Sequence, residues 1–379
     1  MRRHTENPPR AAYVHVPFCR HRCGYCNFTL VADRDDLIAA YIRALGTELS
    51  GLRWPRQVDT LFLGGGTPTH LSTRQLEMLI GEVLRWLPLS PGAEFSVEAN
   101  PADLDQAKVE LLAALGVTRL SLGAQSFAPR KLALLERDHQ ADTIVLSAQS
   151  ARRHFRSVSL DLIFGTPGET LDEWRRDLER VLTLSPNHVS TYGLTFEKGT
   201  SFWSRRRRGE LRQIDEELER DMYVAAIDEL TAAGFEHYEV SNFAQPGHRC
   251  RHNEVYWTGR EYFAFGAGAA RFVDGCREVN HRSTSAYLTR IRDGKSPVAE
   301  REMLSAEQHA RECLVFGLRR LEGVDRGEFF AETGQTVDSL VGEPLRRFVE
   351  LGLLEQENGR VRLTRKGLMI SDSLWPEML

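Results

Sequence analysis

The sequence predicts an α/β fold, a partial (β/α)6 barrel of the TIM type that is open along one side and is followed by a small helical domain. Runs of apolar and β-branched residues alternate with longer amphipathic segments, which is typical of βα units and a parallel sheet. Six such units follow one another between residues 13 and 192. Cysteines, glycines and carboxylates stand at the ends of these runs, where such barrels carry their active groups. A flavodoxin-like open sheet is the alternative architecture.

Each predicted strand is a short apolar run, and the first five are followed by a segment with helical spacing of its apolar residues. The strands are predicted at residues 13–16, 60–63, 94–99, 119–122, 157–164 and 188–192. The helices are predicted at 35–52, at 72–87 with Ser72 as the cap, at 102–115, in a region that ends near His154, and at 171–184.

Past residue 192 the regular alternation stops. Residues 193–208 are predicted to be irregular, an amphipathic helix at 216–233 is ended by Gly234, and 235–243 is predicted to be extended. Helices at 305–318 and 343–351 and a strand at 360–363, after a turn of Asn358 and Gly359, are typical of a winged-helix module or a small cap over the barrel mouth. The predicted domains are a polar tail at 1–10, the barrel core at 11–195, an extension that completes the core at 196–300, and a C-terminal domain at 301–379.

Composition places the chain among ordinary globular proteins. Of 379 residues, 41% are hydrophobic and 27% are charged, which suits one large domain and a smaller one. No apolar run approaches the about 20 residues of a membrane span, and the polar first ten residues do not resemble a signal peptide, so a cytoplasmic location is expected. A net charge of -4 argues against nucleic acid as a partner. The four arginines at 205–208 are an exception, either a solvated basic turn or a contact for an anion or a partner.

The chemistry of the chain centres on the segment YVHVPFCRHRCGYCNF. It places Cys19, Cys23 and Cys26 in one short loop directly after the first predicted strand. Thiolates favour zinc and iron–sulfur clusters. Zinc would need a fourth ligand, such as His15 or His21, whereas a cubane cluster takes one protein ligand per iron and would keep one iron open. Both metal sites stay open on these residues alone, while a disulfide is not expected in a chain without a secretory signal.

Further candidate residues stand at the ends of the next strands. Gly64, Gly65 and Gly66, followed by Thr67, are predicted to leave backbone groups uncovered for the amine or carboxylate of a small ligand, although a tight turn would explain them too. The other candidates are polar side chains at or beyond strand ends, namely Glu98, Gln125, Arg137 and Asp161. A strand-end cap for Glu98 and a surface charge for Arg137 are the structural alternatives.

The pattern CxxxCxYC after one strand, with LGGGTPT after the next, resembles the radical S-adenosylmethionine (SAM) superfamily. Nearly the whole chain is similar to the HemN/HemW group, which comprises oxygen-independent coproporphyrinogen oxidases and related heme chaperones. The resemblance implies a [4Fe-4S] cluster on Cys19, Cys23 and Cys26, with SAM on its open iron. It also implies SAM contacts, at one site or two, from Tyr13, Gly65, Gly66, Thr67, Glu98, Gln125, Arg137 and Asp161. The implied partners are an electron donor such as a flavodoxin or ferredoxin and, for a chaperone, a heme-acceptor protein.

A second segment, HRCRHNEVYW, places Cys250 and His252 beside Tyr256 and Trp257. Such a group could ligate heme iron and stack on the ring, or it could be a core segment with a backbone-bonded histidine. HNEVYW is similar to the HNxxYW motif of the heme chaperones, which implies His252 as the axial heme ligand.

Two departures from the group affect the functional prediction. Chaperones of the group usually carry a histidine after the GxGxGA segment, where this chain has Ala270. The oxidases extend the cluster motif with a further cysteine, where this chain has Phe28. The resemblance therefore favours a heme chaperone, and the alternative is a radical SAM enzyme that oxidises coproporphyrinogen III or performs other chemistry such as methyl transfer.

Overall fold

A sheet of nine strands forms the centre of the computed structural model, which describes residues 8–379. Most of the predicted polar tail, residues 1–7, lies outside the described residues. The strands in chain order are β1 Ala11–Val16, β2 Phe18–Cys19, β3 Val31–Ala32, β4 Val58–Gly65, β5 Leu89–Ala99, β6 Arg119–Gln125, β7 Ser157–Phe164, β8 His188–Gly193, β9 Glu236–Glu239, β10 Asn242–Ala244, β11 Phe263–Phe265, β12 Ala270–Val273, β13 Cys276–Asn280, β14 Val298–Met303, β15 Val324–Asp325, β16 Leu354–Glu357 and β17 Arg360–Leu363.

The helices connect these strands and cover the sheet. In chain order they are α1 Ile38–Ser50, α2 Thr73–Trp86, α3 Gln106–Ala114, α4 Pro129–Leu134, α5 Ala141–His154, α6 Leu171–Thr183, α7 Ser201–Arg207, α8 Glu216–Ala232, α9 Arg251–Trp257, α10 Thr284–Arg292, α11 Ala306–Arg319, α12 Arg326–Thr333, α13 Val337–Glu350 and α14 Arg365–Leu368. Neighbouring helices pack in pairs, α1 against α2, α3 against α5 and α6 against α8. No helix within residues 8–379 is long and apolar enough to cross a membrane.

The strand order distinguishes the two predicted architectures. The central sheet has the order β11-β1-β4-β5-β6-β7-β8-β10-β9, and its six central strands are parallel and follow one another in sequence. In a flavodoxin-like sheet the order of the strands reverses at a switch point. The six parallel strands here show no such reversal, so that alternative is wrong. The outer strands β11 and β9 are neighbours of β1 and β10 and not of each other, which leaves the barrel open as predicted.

Local signals explain why the helices begin where they do. Ser72 caps α2 as predicted, because its Oγ accepts from the backbone N–H of Gln75 while the Gln75 side chain accepts from the N–H of Ser72. Thr170 and Glu173 form the same reciprocal cap at α6. The apolar stripe of α2 is buried, as helical spacing predicts.

Two predictions of local structure are wrong. Residues 201–207, predicted to be irregular, form α7, because the Thr200 hydroxyl accepts from the N–H of Trp203 and Phe202 is buried. Helix α13 begins at Val337 and not at residue 343, because Thr336 caps it. The helix is irregular at Val341, three residues before Pro344.

The C-terminal segment contains α11 to α13 and a small sheet with the order β15-β17-β16, which agrees with the predicted winged-helix pattern. Asn358 and Gly359 have positive φ and form the turn between β16 and β17. Basic side chains of the β16–β17 hairpin and of the residues after it form ion pairs within the protein. Arg362 pairs with Glu355 and Glu357, while Arg365 pairs with Asp228 of α8. The predicted boundary between residues 300 and 301 stays a prediction.

A buried charge cluster holds the loop after β6. Lys131 forms ion pairs with Glu169 and Asp177, and all three residues are almost fully buried. Asp177 also accepts hydrogen bonds from the Ser126 hydroxyl at 2.6 Å and from the N–H of Phe127 at 2.8 Å. Because a fully bonded buried network has few alternative arrangements, it fixes the turn that follows β6.

Candidate functional site

A large cavity lies toward the carboxyl ends of the parallel strands, as the barrel prediction requires. It has a volume of about 630 Å³ and gathers residues from β4, β5, β6, β7 and β8. Ten of the predicted site residues line it, namely Cys19, Cys23, Cys26, Gly65, Gly66, Thr67, Glu98, Gln125, Arg137 and Asp161. Tyr13 and His252 do not line this cavity.

The three cysteines face the cavity from one loop. All three are free thiols, and the N–H of Cys26 donates to the carbonyl oxygen of Cys23 at 3.0 Å, which closes the loop into a turn. The Cys19 Sγ lies 3.3 Å from the Thr67 Oγ1, and the Arg137 Nη1 donates to the Cys23 Sγ at 3.6 Å. The loop is therefore bonded to the end of β4 and to the segment after α4.

Burial raises the pKa of all three thiols, that of Cys19 to about 12, while the Arg137 guanidinium opposes the rise at Cys23. The thiols are thus protonated at neutral pH in the free protein, and a bound metal centre would have to displace these protons. The positive charge of Arg137 favours the resulting thiolates.

The loop suits a cluster better than the predicted zinc alternative. Within residues 8–379 no three His, Cys, Asp or Glu side chains converge closely enough to hold one metal ion. His15 accepts from the Tyr13 hydroxyl and donates to the carbonyl oxygen of Thr29, while His21 bonds the carbonyl oxygen of Glu136. A cubane cluster does not require the sulfur atoms to converge on one point, because each thiolate binds a different iron.

The N–H groups of the glycine segment form hydrogen bonds within the protein, while the predicted SAM contacts of Gly65, Gly66 and Thr67 stay a prediction. The N–H of Gly65 donates to Glu98 Oε2 at 2.8 Å, and those of Gly66 and Thr67 donate to carbonyl oxygens of β1 and β2 at 2.9 and 2.8 Å. The prediction of uncovered N–H groups is therefore wrong for these three residues. Gly65 has φ +109°, and a Cβ there would collide with the His15 ring. The glycines allow β4 to approach β1 and the cysteine loop closely.

Glu98 and Asp161 place two buried carboxyl groups at the cavity. Asp161 accepts from the hydroxyls of Ser121 and Ser159 at 2.9 and 3.1 Å, and Glu98 accepts from Gly65. Burial raises the pKa of Glu98 to about 7, the nearby Asp161 adds to this rise, and burial also raises the pKa of Asp161. Two poorly solvated carboxyl groups make this wall of the cavity suitable for a cation.

A smaller cavity of about 410 Å³ adjoins the first and shares Phe28 and Arg282 with it. Its lining combines aromatic side chains, among them Tyr13, Tyr256 and Tyr262, with small residues that include Ala270. Tyr13 therefore lies apart from the cysteine cavity. Phe28 is 67% exposed, which is high for a large apolar side chain between two cavities.

His252 lies on α9 and is buried under this smaller cavity. Its Nδ1 lies 3.0 Å from the Thr60 Oγ1 and its Nε2 lies 2.8 Å from the Tyr256 hydroxyl. Burial lowers the pKa of His252 to about 3, so the ring is neutral. Because both ring nitrogens are hydrogen-bonded, the predicted direct ligation of heme iron by His252 does not agree with this conformation.

The sequence did not point to Tyr192 and Arg282, although both line the large cavity. Tyr192 ends the sixth predicted strand, so the rule that selected Glu98 could have selected it. Arg282 lies in a short connection between β13 and α10, and no pattern in the sequence marks it.

Comparison with known proteins assigns the fold and the site to a class. The Radical SAM superfamily matches residues 13–181, and the HemN C-terminal domain matches residues 304–370. Six sequential parallel strands, with three free cysteines at the barrel mouth, thus define a radical SAM protein. That class implies SAM and a [4Fe-4S] cluster.

Full-length relatives define the family. The chain is 35% identical over 375 residues to the heme chaperone HemW of Bacillus subtilis, covering 98% of this chain and 99% of that protein. It is 32% identical over 378 residues to heme chaperone HemW of Escherichia coli, covering 97% of each. Radical S-adenosyl methionine domain-containing protein 1, mitochondrial, of Bos taurus is 33% identical over 384 residues, covering 97% of this chain and 87% of that protein. The chain belongs to the HemW family, which confirms the resemblance.

The solved structure of the E. coli coproporphyrinogen III oxidase HemN superposes with a TM-score of 0.86. The match covers 98% of this chain and 90% of that one at 22% sequence identity. It confirms the α/β fold and carries no statement about activity.

SAM carries a sulfonium cation, so we expect its affinity to depend on the charge of Glu98. Because the pKa of Glu98 is about 7, the group ionises between about pH 6 and about pH 8, and affinity should rise up to about tenfold over that range. Glu98→Gln should flatten this dependence and weaken binding at the upper end. Calorimetric titration of the reconstituted protein with SAM measures both.

The exposed Glu110→Gln serves as the control and should retain the wild-type pH profile. A steep profile in Glu98→Gln would contradict the assignment. The folding stability of the free protein should change with pH in the opposite direction to SAM affinity. The raised pKa of Glu98 gives a contribution to stability that is complete at acid pH and is lost as pH rises through about 7.

Proposed function

We propose that the chain is a heme chaperone, which binds heme and a SAM-ligated [4Fe-4S] cluster and passes the heme to an acceptor protein. The observation that carries this proposal is the similarity to proteins named heme chaperone HemW over 98% of the chain. The proposal places the protein in the cytoplasm, where a reducing environment preserves the three thiols.

Cys19, Cys23 and Cys26 are the proposed cluster ligands. When bound, the cluster supplies single electrons and one open coordination position. The acidic wall of Glu98 and Asp161 attracts the positive charges of SAM, while Gln125, with φ +65°, and Arg137 border the same space. Tyr13 is the weakest of the predicted SAM contacts, because its hydroxyl donates to His15 and its side chain lines the smaller cavity.

The smaller cavity suits one face of a heme. The rings of Tyr13, Tyr256 and Tyr262 line it and can contact the macrocycle, with Tyr256 and Tyr262 edge-to-face at a centroid distance of 4.7 Å. The guanidinium of Arg282 can bind a propionate carboxylate. His252 would then act through Tyr256, by holding its hydroxyl in place. Ala270 lines this same cavity, so the position where the group usually has histidine faces the proposed heme.

Anaerobic titration with heme tests the function. We expect a stoichiometric Soret band in the wild type, and an at least tenfold weaker affinity in both Tyr256→Phe and His252→Ala, because each breaks the pair beneath the cavity. Tyr223→Phe is the control, since its hydroxyl donates to the carbonyl oxygen of Val240. Ala270→His should shift the Soret band, because it adds a nitrogen ligand to the cavity.

Each failure has its own meaning. A wild-type protein without a Soret change would refute the chaperone function, whereas full affinity in both Tyr256→Phe and His252→Ala would refute only this placement of heme. Repeated turnover of coproporphyrinogen III after reduction would favour the alternative, a radical SAM oxidase.

A further inference from the structure

Helix α7 packs directly on the loop that carries the three cysteines. The N–H of Phe202 donates to the carbonyl oxygen of Gly24 at 2.8 Å, and the Phe202 ring lies edge-on to Tyr25 with centroids 6.1 Å apart. A Cβ on Gly24 would collide with the Phe202 ring. Gly24 and Tyr25 stand between Cys23 and Cys26, so α7 supports the part of the loop that joins two of the proposed cluster ligands.

The end of α7 carries the four arginines at 205–208, of which only Arg205 and Arg208 are neutralised by ion pairs. Arg205 contacts Glu136 and Glu210, and Arg208 contacts Glu210. Arg206 and Arg207 are exposed, and neither has an acidic partner within residues 8–379.

Further cations border this segment. Lys198 and Arg212 are exposed and without ion pairs in the described part of the chain. On the cysteine loop itself, Arg22 is exposed, and its donors bond only backbone carbonyl oxygens among residues 8–379. The protein as a whole has a net charge of -4, so this concentration of positive charge beside the loop is local.

The fold does not require these charges. The last turn of α7 gains from cations near its carboxyl end, but one or two would suffice, and adjacent like charges repel one another. Arg206 lies over Phe196, with its guanidinium carbon 5.4 Å from the ring centroid, so its stem packs while its charge stays at the surface.

We infer that the arginines of α7 form the docking surface for an acidic electron-transfer protein that reduces the cluster. The inference rests on the proposed cluster. One electron leaves the reduced donor and enters the oxidised cluster, and no bond forms or breaks. Redox partners meet through small interfaces whose encounter rate depends on complementary charge, so a positive surface against the cysteine loop selects a donor with a negative face.

The test uses the reconstituted full-length protein and a prereduced flavodoxin, with cluster reduction followed by stopped-flow absorbance. Arg206→Glu/Arg207→Glu should slow reduction by at least tenfold at about 50 mM salt, and the wild-type rate should fall toward that of the variant at about 500 mM. Arg53→Glu/Arg85→Glu is the charge-matched control. Arg53 follows the carboxyl end of α1 and Arg85 lies in the last turn of α2, both away from the barrel mouth, so this variant should react like the wild type.

Reduction by dithionite distinguishes weaker flavodoxin binding from a defect in the cluster or the fold, because a small reductant needs no docking surface. Iron content and the dithionite rate should be equal in all variants, and the neutral Arg206→Gln/Arg207→Gln should give an intermediate flavodoxin rate. A wild-type flavodoxin rate in the charge-reversed variant would overturn the inference, as would equal slowing with dithionite. Absence of a cluster from the wild type would instead refute the proposed cofactor site.

Discussion

Cys23→Ala is expected to abolish assembly of the [4Fe-4S] cluster, with bound iron reduced by at least tenfold. Each iron held by the protein needs its own thiolate, and within the large cavity the structure offers three cysteines and no fourth. Cys23 also accepts a hydrogen bond from the Arg137 guanidinium, which favours its anionic form. Anaerobic reconstitution, followed by iron and sulfide analysis and visible absorbance, measures the loss.

Cys276→Ala provides the control, because Cys276 is partly exposed like Cys19 and Cys26 but lies on β13, outside both cavities. It should assemble a full cluster. Cys19→Ala and Cys26→Ala should behave like Cys23→Ala, since one missing ligand is equivalent to another. A complete iron–sulfur complement in any of these three variants would refute the ligand set.

The positions of the cysteines and of Glu98 were predictable because they depend on one simple relation. An apolar run marks a parallel strand, and the polar residue that ends it must lie at the barrel mouth. Glu98 is the penultimate residue of β5, and its side chain reaches the cavity. The order of the strands followed from the same alternation of strands and helices.

Depth inside the barrel was not predictable from the pattern. Tyr13 is only the third residue of β1, so it lies below the mouth, beside Phe62 in the neighbouring strand. His252 is separated by 192 residues from Thr60, the group that bonds its Nδ1. A sequence motif can identify such a histidine as a candidate, but it does not determine whether the side chain contacts a ligand or another side chain.

The role of the glycines also required the structure. Three consecutive glycines after a strand are compatible with an open ligand loop and with close backbone packing, and the sequence is the same for both. The N–H groups of Gly65, Gly66 and Thr67 bond to protein acceptors, so the structure shows close backbone packing here, and the predicted ligand contact of these residues stays a prediction.

Gly65→Ala is accordingly expected to be far more damaging than its single methyl group suggests. Position 65 has φ +109°, which L residues rarely adopt, and the new Cβ would meet a His15 ring held by Tyr13 and Thr29. Backbone strain and overpacking together should lower the free energy of unfolding by about 4 kcal/mol. Gly92→Ala is the control, since φ is +73° there but the Cβ would enter open space, and it should cost about 1 kcal/mol.

The same substitution should act on the ligand through Glu98. The N–H of Gly65 is the backbone donor to the Glu98 carboxylate, so displacement of β4 would release that carboxylate from its position at the cavity. Gly65→Ala should therefore lose both SAM affinity and the pH dependence expected of the wild type, whereas Gly92→Ala keeps both. Equal denaturation curves for the two alanine variants would contradict this prediction, because they would mean that His15 and β4 move aside at little cost in stability. The close approach of β1 and β4 would then not hold the cysteine loop in place.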